Sequence, residues 1–341
     1  MKLKVLAIDL AKDFFQLYGI NHSGELKLDK KIGRARFAKL IKDLEPTSIY
    51  MEACGGAHCW ARLFKSYGHA VKLIAPHHVK PYVGHQKNDR NDSKAILEAC
   101  QRPEAVFVGI KSIWQQDLQV LHRVKDLKSK HQVAIINHIR GLMLEYGVAL
   151  PKTHIQFIKS AKSAIEDAEN GLTEVVRESC FQMYKTYETL SKEITNILKQ
   201  LEDIGKKYEF TKRVQAEIKG VGPLVATRFM ASIGDIDSFS NGRQVSAWIG
   251  LVPKQNSTGG RSRLGRITKH GDSDLRKIIV QGARSAVISA SRKEYPDEDE
   301  RKIKRLTEQK GFNVASVATA NRNVRRMYAI LKKYKHEVCA S

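Results

Sequence analysis

Two carboxylates three positions apart, Asp89 and Asp92 in the stretch QKNDRNDSKA, stand just ahead of a run with apolar helical spacing. In a chain of formal net charge +23 they call for a reason. A capping cluster at a helix start, or a solvated loop, accounts for the pair taken alone. Two further acids change the reading: Asp9 lies near the end of LKVLAIDL and Glu52 near the end of SIYMEA, both segments whose pattern predicts a strand. If those strands lie side by side, both carboxylates leave the sheet at one edge, and a helix entered through Asp89 and Asp92 can bring four acids together. Like charges a few ångströms apart would force some carboxyls to hold protons unless a cation sits among them. Divalent ions remove the conflict. Mg²⁺ takes hard oxygen ligands and keeps waters, and two such ions about 4 Å apart can activate a nucleophile and stabilise a leaving oxygen in phosphoryl transfer. The expected metal ligands are Asp9, Glu52, Asp89 and Asp92.

The elements that must position these acids follow from periodicity. Residues 3–10, 14–20 and 25–32 predict a three-strand meander, 35–44 a helix, 48–53 a strand, 58–68 a helix and 70–75 a strand. That order implies a mixed sheet with helices packed on it. Farther on, a helix is expected from about Ser112 to Glu145, and Pro151 with the polar segment to Asn170 separates it from a second one. In the second, Val176, Cys180, Met183, Tyr187, Leu190, Ile194, Ile197, Leu201 and Ile204 recur at alternating spacings of four and three, the seam of a coiled coil. An antiparallel hairpin within the chain and pairing with another subunit both satisfy that seam.

A strongly basic texture marks the rest. With 59 Lys and Arg against 36 Asp and Glu, the expected partner is nucleic acid, since each neutralised phosphate releases counterions. Five scattered cysteines without a C-x-x-C pattern read as buried or free thiols. No run of about 18 apolar residues occurs and the amino terminus has no signal-peptide core, so no membrane is expected and the cytoplasm is. Gly220 and Gly222 precede a helix, either to admit a phosphate at its start or to make a tight interhelical turn. From Lys254 to Lys277 there are seven basic residues, Arg276 among them, and two acids, a flexible cationic loop with hydroxyls at Ser257, Thr258 and Ser262. Arg261, Arg263, Arg266 and Lys269 are its phosphate-binding candidates. The carboxyl-terminal helix places Val324, Tyr328 and Leu331 on one face to dock, leaving Arg325 and Arg326 for nucleic-acid backbone.

The segments AIDLAKD, YMEACGGAHCW, QKNDRNDSKA and GLVPKQNSTGGRSRLGRITKHGDSDLR, in that order, resemble the DEDD-type insertion-sequence transposases, the "IS one-ten" bridge recombinases. The resemblance covers nearly the whole chain. It implies an α/β plus α fold class: an amino-terminal RuvC-like domain of ribonuclease H fold over residues 1–110, a helical coiled-coil region over 111–210, and a mostly helical carboxyl-terminal transposase domain over 211–341. It implies Asp9, Glu52, Asp89 and Asp92 as the Mg²⁺-binding acids and Ser257 as the nucleophile. Implied partners are donor and target DNA, a noncoding bridge RNA, and further copies of the chain in a dimer or tetramer. A serine carries negligible alkoxide at neutral pH and requires activation, for which the metal site and His270 are the candidates. Two other classes fit the acids and the charge: a metal-dependent junction-resolving nuclease without covalent intermediate, and a non-catalytic nucleic-acid scaffold in which the acids are caps.

Overall fold

The computed structural model describes residues 2–83, 89–103, 105–256 and 263–336, with the backbone alone at position 89. The chain divides into two compact units, Met1–Gln116 with Ile218–Gly220 and Phe229–Ser341 in the first, and Asp117–Glu217 with Val221–Arg228 in the second.

The first unit opens with β1 (Val5–Leu10), β2 (Phe14–Ile20) and β3 (Leu26–Gly33), then α1 (Arg34–Lys42), β4 (Ser48–Glu52), α2 (Ala57–Ser66), β5 (Ala70–Ile74), α3 (Pro76–Val79), α4 (Asp89–Cys100) and the two-residue strand β6 (Phe107–Val108). All seven elements expected over the first 75 residues are present. Six strands make one sheet in the order β3-β2-β1-β4-β5-β6. Within it β1, β4 and β5 are parallel, while β2, β3 and β6 are antiparallel to their neighbours. The run Val5 to Ile8 is buried throughout, as a central strand covered on both faces must be. Leu6, Ile8, Met51 and Leu73 face a core with Phe37 of α1 and Phe64 of α2. Val5 and Ala7 face the other way, onto Ala95, Ile96 and Ala99 of α4.

The second unit is helical. It takes α5 (Ile113–Glu145) from Asp117 onward, α6 (His154–Glu166), α7 (Glu174–Gly205) and α8 (Glu209–Glu217). All nine seam residues of α7 are buried or half-buried. Lys128 Nζ pairs with Glu193 Oε2 and Gln132 Nε2 with Ser191 Oγ, each at 2.6 Å, so α5 and α7 run antiparallel. Ile136, Ile139 and Met143 of α5 meet Cys180, Tyr184 and Tyr187 of α7. The segment 151–170, expected as a polar separator, instead contains α6, whose Phe157, Ala161 and Ile165 complete this core. Three apolar residues at spacing four suffice for one buried stripe, and Thr153 caps the helix by accepting from the Gln156 N–H.

The first unit continues from Phe229 in α9 (Pro223–Ile233), then α10 (Gly242–Trp248), β7 (Pro253–Gln255), β8 (Leu264–Ile267), α11 (Ser273–Arg292), α12 (Glu298–Lys310) and α13 (Phe312–Lys333). The acidic stretch after α11 breaks the helix as expected, and Asp297 and Glu300 form a reciprocal capping box that starts α12. On α13, Val324 and Leu331 are buried and the Tyr328 hydroxyl donates to the Phe239 carbonyl at 2.9 Å. Gly220, at φ +78°, serves a tight approach between backbones: an added Cβ would stand 2.2 Å from the Gly282 carbonyl oxygen. Among the described residues no helix is long and apolar enough to cross a membrane.

Candidate active site

β1 and β4 run in parallel register, Ile8 beside Met51, and both side chains point into the core with no exposure. The next residue on each strand, Asp9 and Glu52, therefore turns to the opposite face at the strands' carboxyl ends. That face is the one α4 covers, and α4 starts at Asp89 and carries Asp92 in its first turn. The electrostatics register the convergence. Burial raises the Glu52 carboxyl above its ordinary value and the Asp92 charge raises it further. Burial also pushes up the Cys54 thiol, followed by the charges of Glu52 and Asp9. Cys54 Sγ donates weakly to the Leu10 carbonyl at 3.9 Å, joining the ends of the two strands. Asp9, Glu52 and Asp92 thus gather at one end of the sheet, while the Asp89 side chain lies outside the described residues. Among the described residues no three His, Cys, Asp or Glu side chains form a group that could hold one metal ion.

Residues that the sequence did not single out hold α4 over this edge. Gln16 stands opposite Asp9 in the β1–β2 register, and its Nε2 donates to Asp29 Oδ1 at 2.8 Å. The other Asp29 oxygen takes the Arg90 guanidinium from the first turn of α4. The sequence signal is a glutamine inside the otherwise apolar pattern FFQLYGI, and the fold buries it. Because Arg90 is largely exposed, the ion pair contributes at most about 1 kcal/mol to stability, whereas misplacing a catalytic group by an ångström costs up to about 100-fold in rate. Asp29→Asn, which keeps a side-chain oxygen for the buried Gln16 amide and removes only the charge that holds Arg90, is therefore expected to lower DNA cleavage about 10- to 100-fold while the thermal midpoint moves by no more than about 4 °C. Cleavage and melting curves on the same preparation check this; an unaltered rate removes Asp29 from the positioning of the acids.

The second chemical segment is carried by the β7–β8 hairpin. Ser257, Thr258, Arg261 and Ser262 lie outside the described residues, but the hairpin's root is described in detail. Arg276, counted in the sequence with the loop's cations, is spent on the backbone: its Nη1 donates to the Ile249 carbonyl at 2.8 Å and to the His270 carbonyl at 2.7 Å. One guanidinium so spans the chain entering the hairpin and the chain leaving it. Asn321 Nδ2 adds a bond to the Leu251 carbonyl at 3.1 Å. Gly271 is obligatory, at φ +69° with a hypothetical Cβ 2.0 Å from the Trp248 carbonyl oxygen. Lys269 is the one described non-glycine residue with positive φ, 60°. Charge-assisted bonds of this kind contribute about 1.5–3 kcal/mol each. Arg276→Gln is expected to lower the thermal midpoint by several degrees and cleavage about 10-fold or more, and Arg276→Lys, with one compact donor group, to recover part of both. Parallel melting and cleavage assays on the two variants check it.

The other basic candidates divide. Arg263, Arg266 and Lys269 are exposed and have no carboxylate partner among the described residues, and Arg325 is exposed on α13. Arg326 is paired with Asp299 at 2.6 Å.

Comparison with known proteins adds to this geometry. Residues 6–148 match a family of DEDD type and IS110 group described as "Transposase". Residues 213–297 match "Transposase IS116/IS110/IS902 family". The chain is 38% identical over 339 residues, 99% of its own length and 92% of the relative's, to the "Transposase for insertion sequence element IS1111A" of Coxiella burnetii. It is 36% identical, over 98% of both chains, to a "Probable family 20 transposase" of Pseudomonas aeruginosa. A third relative, the "Transposase for insertion sequence element IS1328" of Yersinia enterocolitica, is 34% identical over 82% of this chain and 83% of its own. Similarity that reaches from the acid-bearing sheet through the hairpin, along nearly the full length of these relatives, means that the chain belongs to the IS110/IS116/IS902 family of insertion-sequence transposases, enzymes that recombine DNA.

Proposed function

We propose that this transposase cuts and rejoins donor and target DNA through a covalent phosphoserine link at Ser257, assisted by divalent ions at Asp9, Glu52, Asp89 and Asp92, with a noncoding bridge RNA choosing the sites. In this reading residues 1–110 are a RuvC-like domain of ribonuclease H fold, 111–210 the helical coiled-coil region and 211–341 the transposase domain with its basic tail. The observation that carries it is the placement of Asp9 and Glu52 on adjacent parallel strand ends, with the Asp92 charge acting on Glu52. The donor set fits: carboxylate oxygens are hard ligands, and a half-buried carboxylate beside a second one favours a counter-cation. When bound, Mg²⁺, two ions in this reading, supplies charge compensation and activation at the scissile phosphate.

Ser257 Oγ forms a bond to phosphorus as the bond from phosphorus to the adjoining nucleoside oxygen breaks, and that oxygen leaves with a proton. One phosphoester replaces another, so the bond energy is kept for rejoining by the reverse step with a new strand's hydroxyl. Arg261, Arg263, Arg266 and Lys269 hold phosphate oxygens and the charge that develops on them. Arg325 and Arg326 take more distant phosphates, Arg326 by exchanging Asp299 for one. The chain works as a dimer or tetramer in the prokaryotic cytosol. Val120, Val124 and Leu127, exposed at spacings of four and three on α5, support self-association.

The test is a nicked suicide DNA on which cleavage cannot reverse. The expected product is a protein–DNA adduct whose peptide maps to Ser257, formed by protein that retains its copurifying RNA and lost after ribonuclease treatment. Free cut ends without adduct would replace the reading with a metal-dependent nuclease, and neither cleavage nor divalent-ion binding would leave a scaffold.

A further inference from the structure

The first unit carries a groove of about 480 Å³ that none of the four acids lines. Arg62 and Lys65 of α2, Lys72 of β5 and Lys111 line it, together with Asp235 and Asp237 beside α9. Both aspartates are already engaged. Asp237 takes the ammonium groups of Lys332 and Lys335, and Asp235 accepts the Asp237 N–H at 2.9 Å. The cations are in a different position: Arg62 donates to the Lys111 carbonyl at 2.6 Å, and Lys72 lies 4.7 Å over the Phe107 ring. Neither of these, nor Lys65, has a carboxylate partner among the described residues.

The floor of this groove is rigid. Gly109 and Gly234 bring two backbones together so closely that a Cβ on Gly109 would stand 2.3 Å from the Asp235 nitrogen, and one on Gly234 2.8 Å from the Gly109 carbonyl oxygen. Gln115, 1% exposed, pins the approach by donating to the Met230 and Gly234 carbonyls at 3.0 Å each. Four cations around a fixed floor outnumber the two local acids, of which Asp237 is already paired with other lysines, and so create a positive potential in a concave site. A cleft of this volume accommodates many small ligands, so size does not choose the occupant; charge does.

We propose that this groove grips the phosphodiester backbone of a nucleic acid, through Arg62, Lys65 and Lys72, as a contact separate from the β7–β8 hairpin and from α13. The proposal goes beyond the function above and depends neither on Ser257 nor on metal at the acids.

Binding of the full chain to a fluorescent oligouridylate and to a random-sequence duplex DNA, measured by anisotropy across a salt series in chelating buffer, tests it. The triple variant Arg62→Ala/Lys65→Ala/Lys72→Ala is expected to flatten the slope of log affinity against log salt by about 2 on the oligouridylate or about 3 on the duplex, at roughly 0.7 and 0.9 per lost phosphate contact. Flattening on the RNA alone assigns the groove to RNA, and on the duplex alone to DNA. Because Arg62 braces the Lys111 carbonyl, the double variant Lys65→Ala/Lys72→Ala keeps that bond and is expected to show about two thirds of the effect. A control lacking the exposed Lys192, Lys199 and Lys207 removes the same charge elsewhere. An unaltered slope on both probes in the folded double variant, or an equal loss in the control, overturns the proposal.

Discussion

Ser257→Ala is expected to abolish adduct formation on suicide DNA and to lower strand exchange by about 1,000-fold or more, whereas Thr258→Ala retains both. The size of the effect follows from the chemistry. In the proposed reaction the phosphoester forms at Ser257 Oγ, so removing that atom leaves nothing at this position to carry the adduct. The Arg276 bonds to the Ile249 and His270 carbonyls fix the hairpin's root independently of position 257, so the substitution leaves the fold and the DNA affinity intact. Gel mobility of the adduct, peptide mapping and a binding isotherm on each variant separate these outcomes. An adduct persisting in Ser257→Ala and disappearing in Thr258→Ala or in Ser262→Ala would move the nucleophile to that hydroxyl.

Glu52→Gln is expected to act in opposite directions on activity and on stability. The substitution removes a carboxylate from the group that would hold divalent ions, and cleavage falls by about 1,000-fold. In chelating buffer at pH 7 the same variant melts above the parent protein. The sign comes from the raised Glu52 carboxyl. Between the ordinary carboxyl range and the raised value, the folded state holds more protons than the unfolded one, so the parent loses stability as pH rises through that window and stays penalised above it. Glutamine carries no such penalty, and the gap between the two proteins closes as pH falls below the ordinary carboxyl range. Added Mg²⁺ then stabilises the parent by selective binding to the folded form and leaves the variant's midpoint nearly where it was. A variant that is less stable than the parent at pH 7 without metal, or one equally stabilised by Mg²⁺, would count against a carboxylate site at this sheet edge.

The two effects have one origin. A half-buried Glu52 carboxylate beside the Asp92 charge is a poor arrangement for a folded chain without a counter-cation, since burial and like charge both disfavour its ionised form. Such groups are kept at functional sites and offset elsewhere, here by the apolar packing on both faces of β1 and by the Gln16–Asp29–Arg90 bridge.

Periodicity announced most of the elements, because alternation and heptad spacing are local records of which side chains are to be buried. The strands around Asp9 and Glu52, the helix α4 after Asp89, and the covered seam of α7 were all legible in this way. So was the transposase family, carried by four segments in a fixed order along the chain. Elements too short to hold a period were not legible: β6 has two residues, and the single apolar stripe of α6 is diluted by polar neighbours. Partnerships between distant residues left still less trace. Nothing local in the chain says that Arg276 spends its charge on carbonyls at the hairpin root, that Asp29 reaches α4, or that Gly220 meets Gly282. Those depend on backbones brought together across long stretches of chain, and a hydrogen bond or an ion pair is made only where the fold delivers both partners at the right distance.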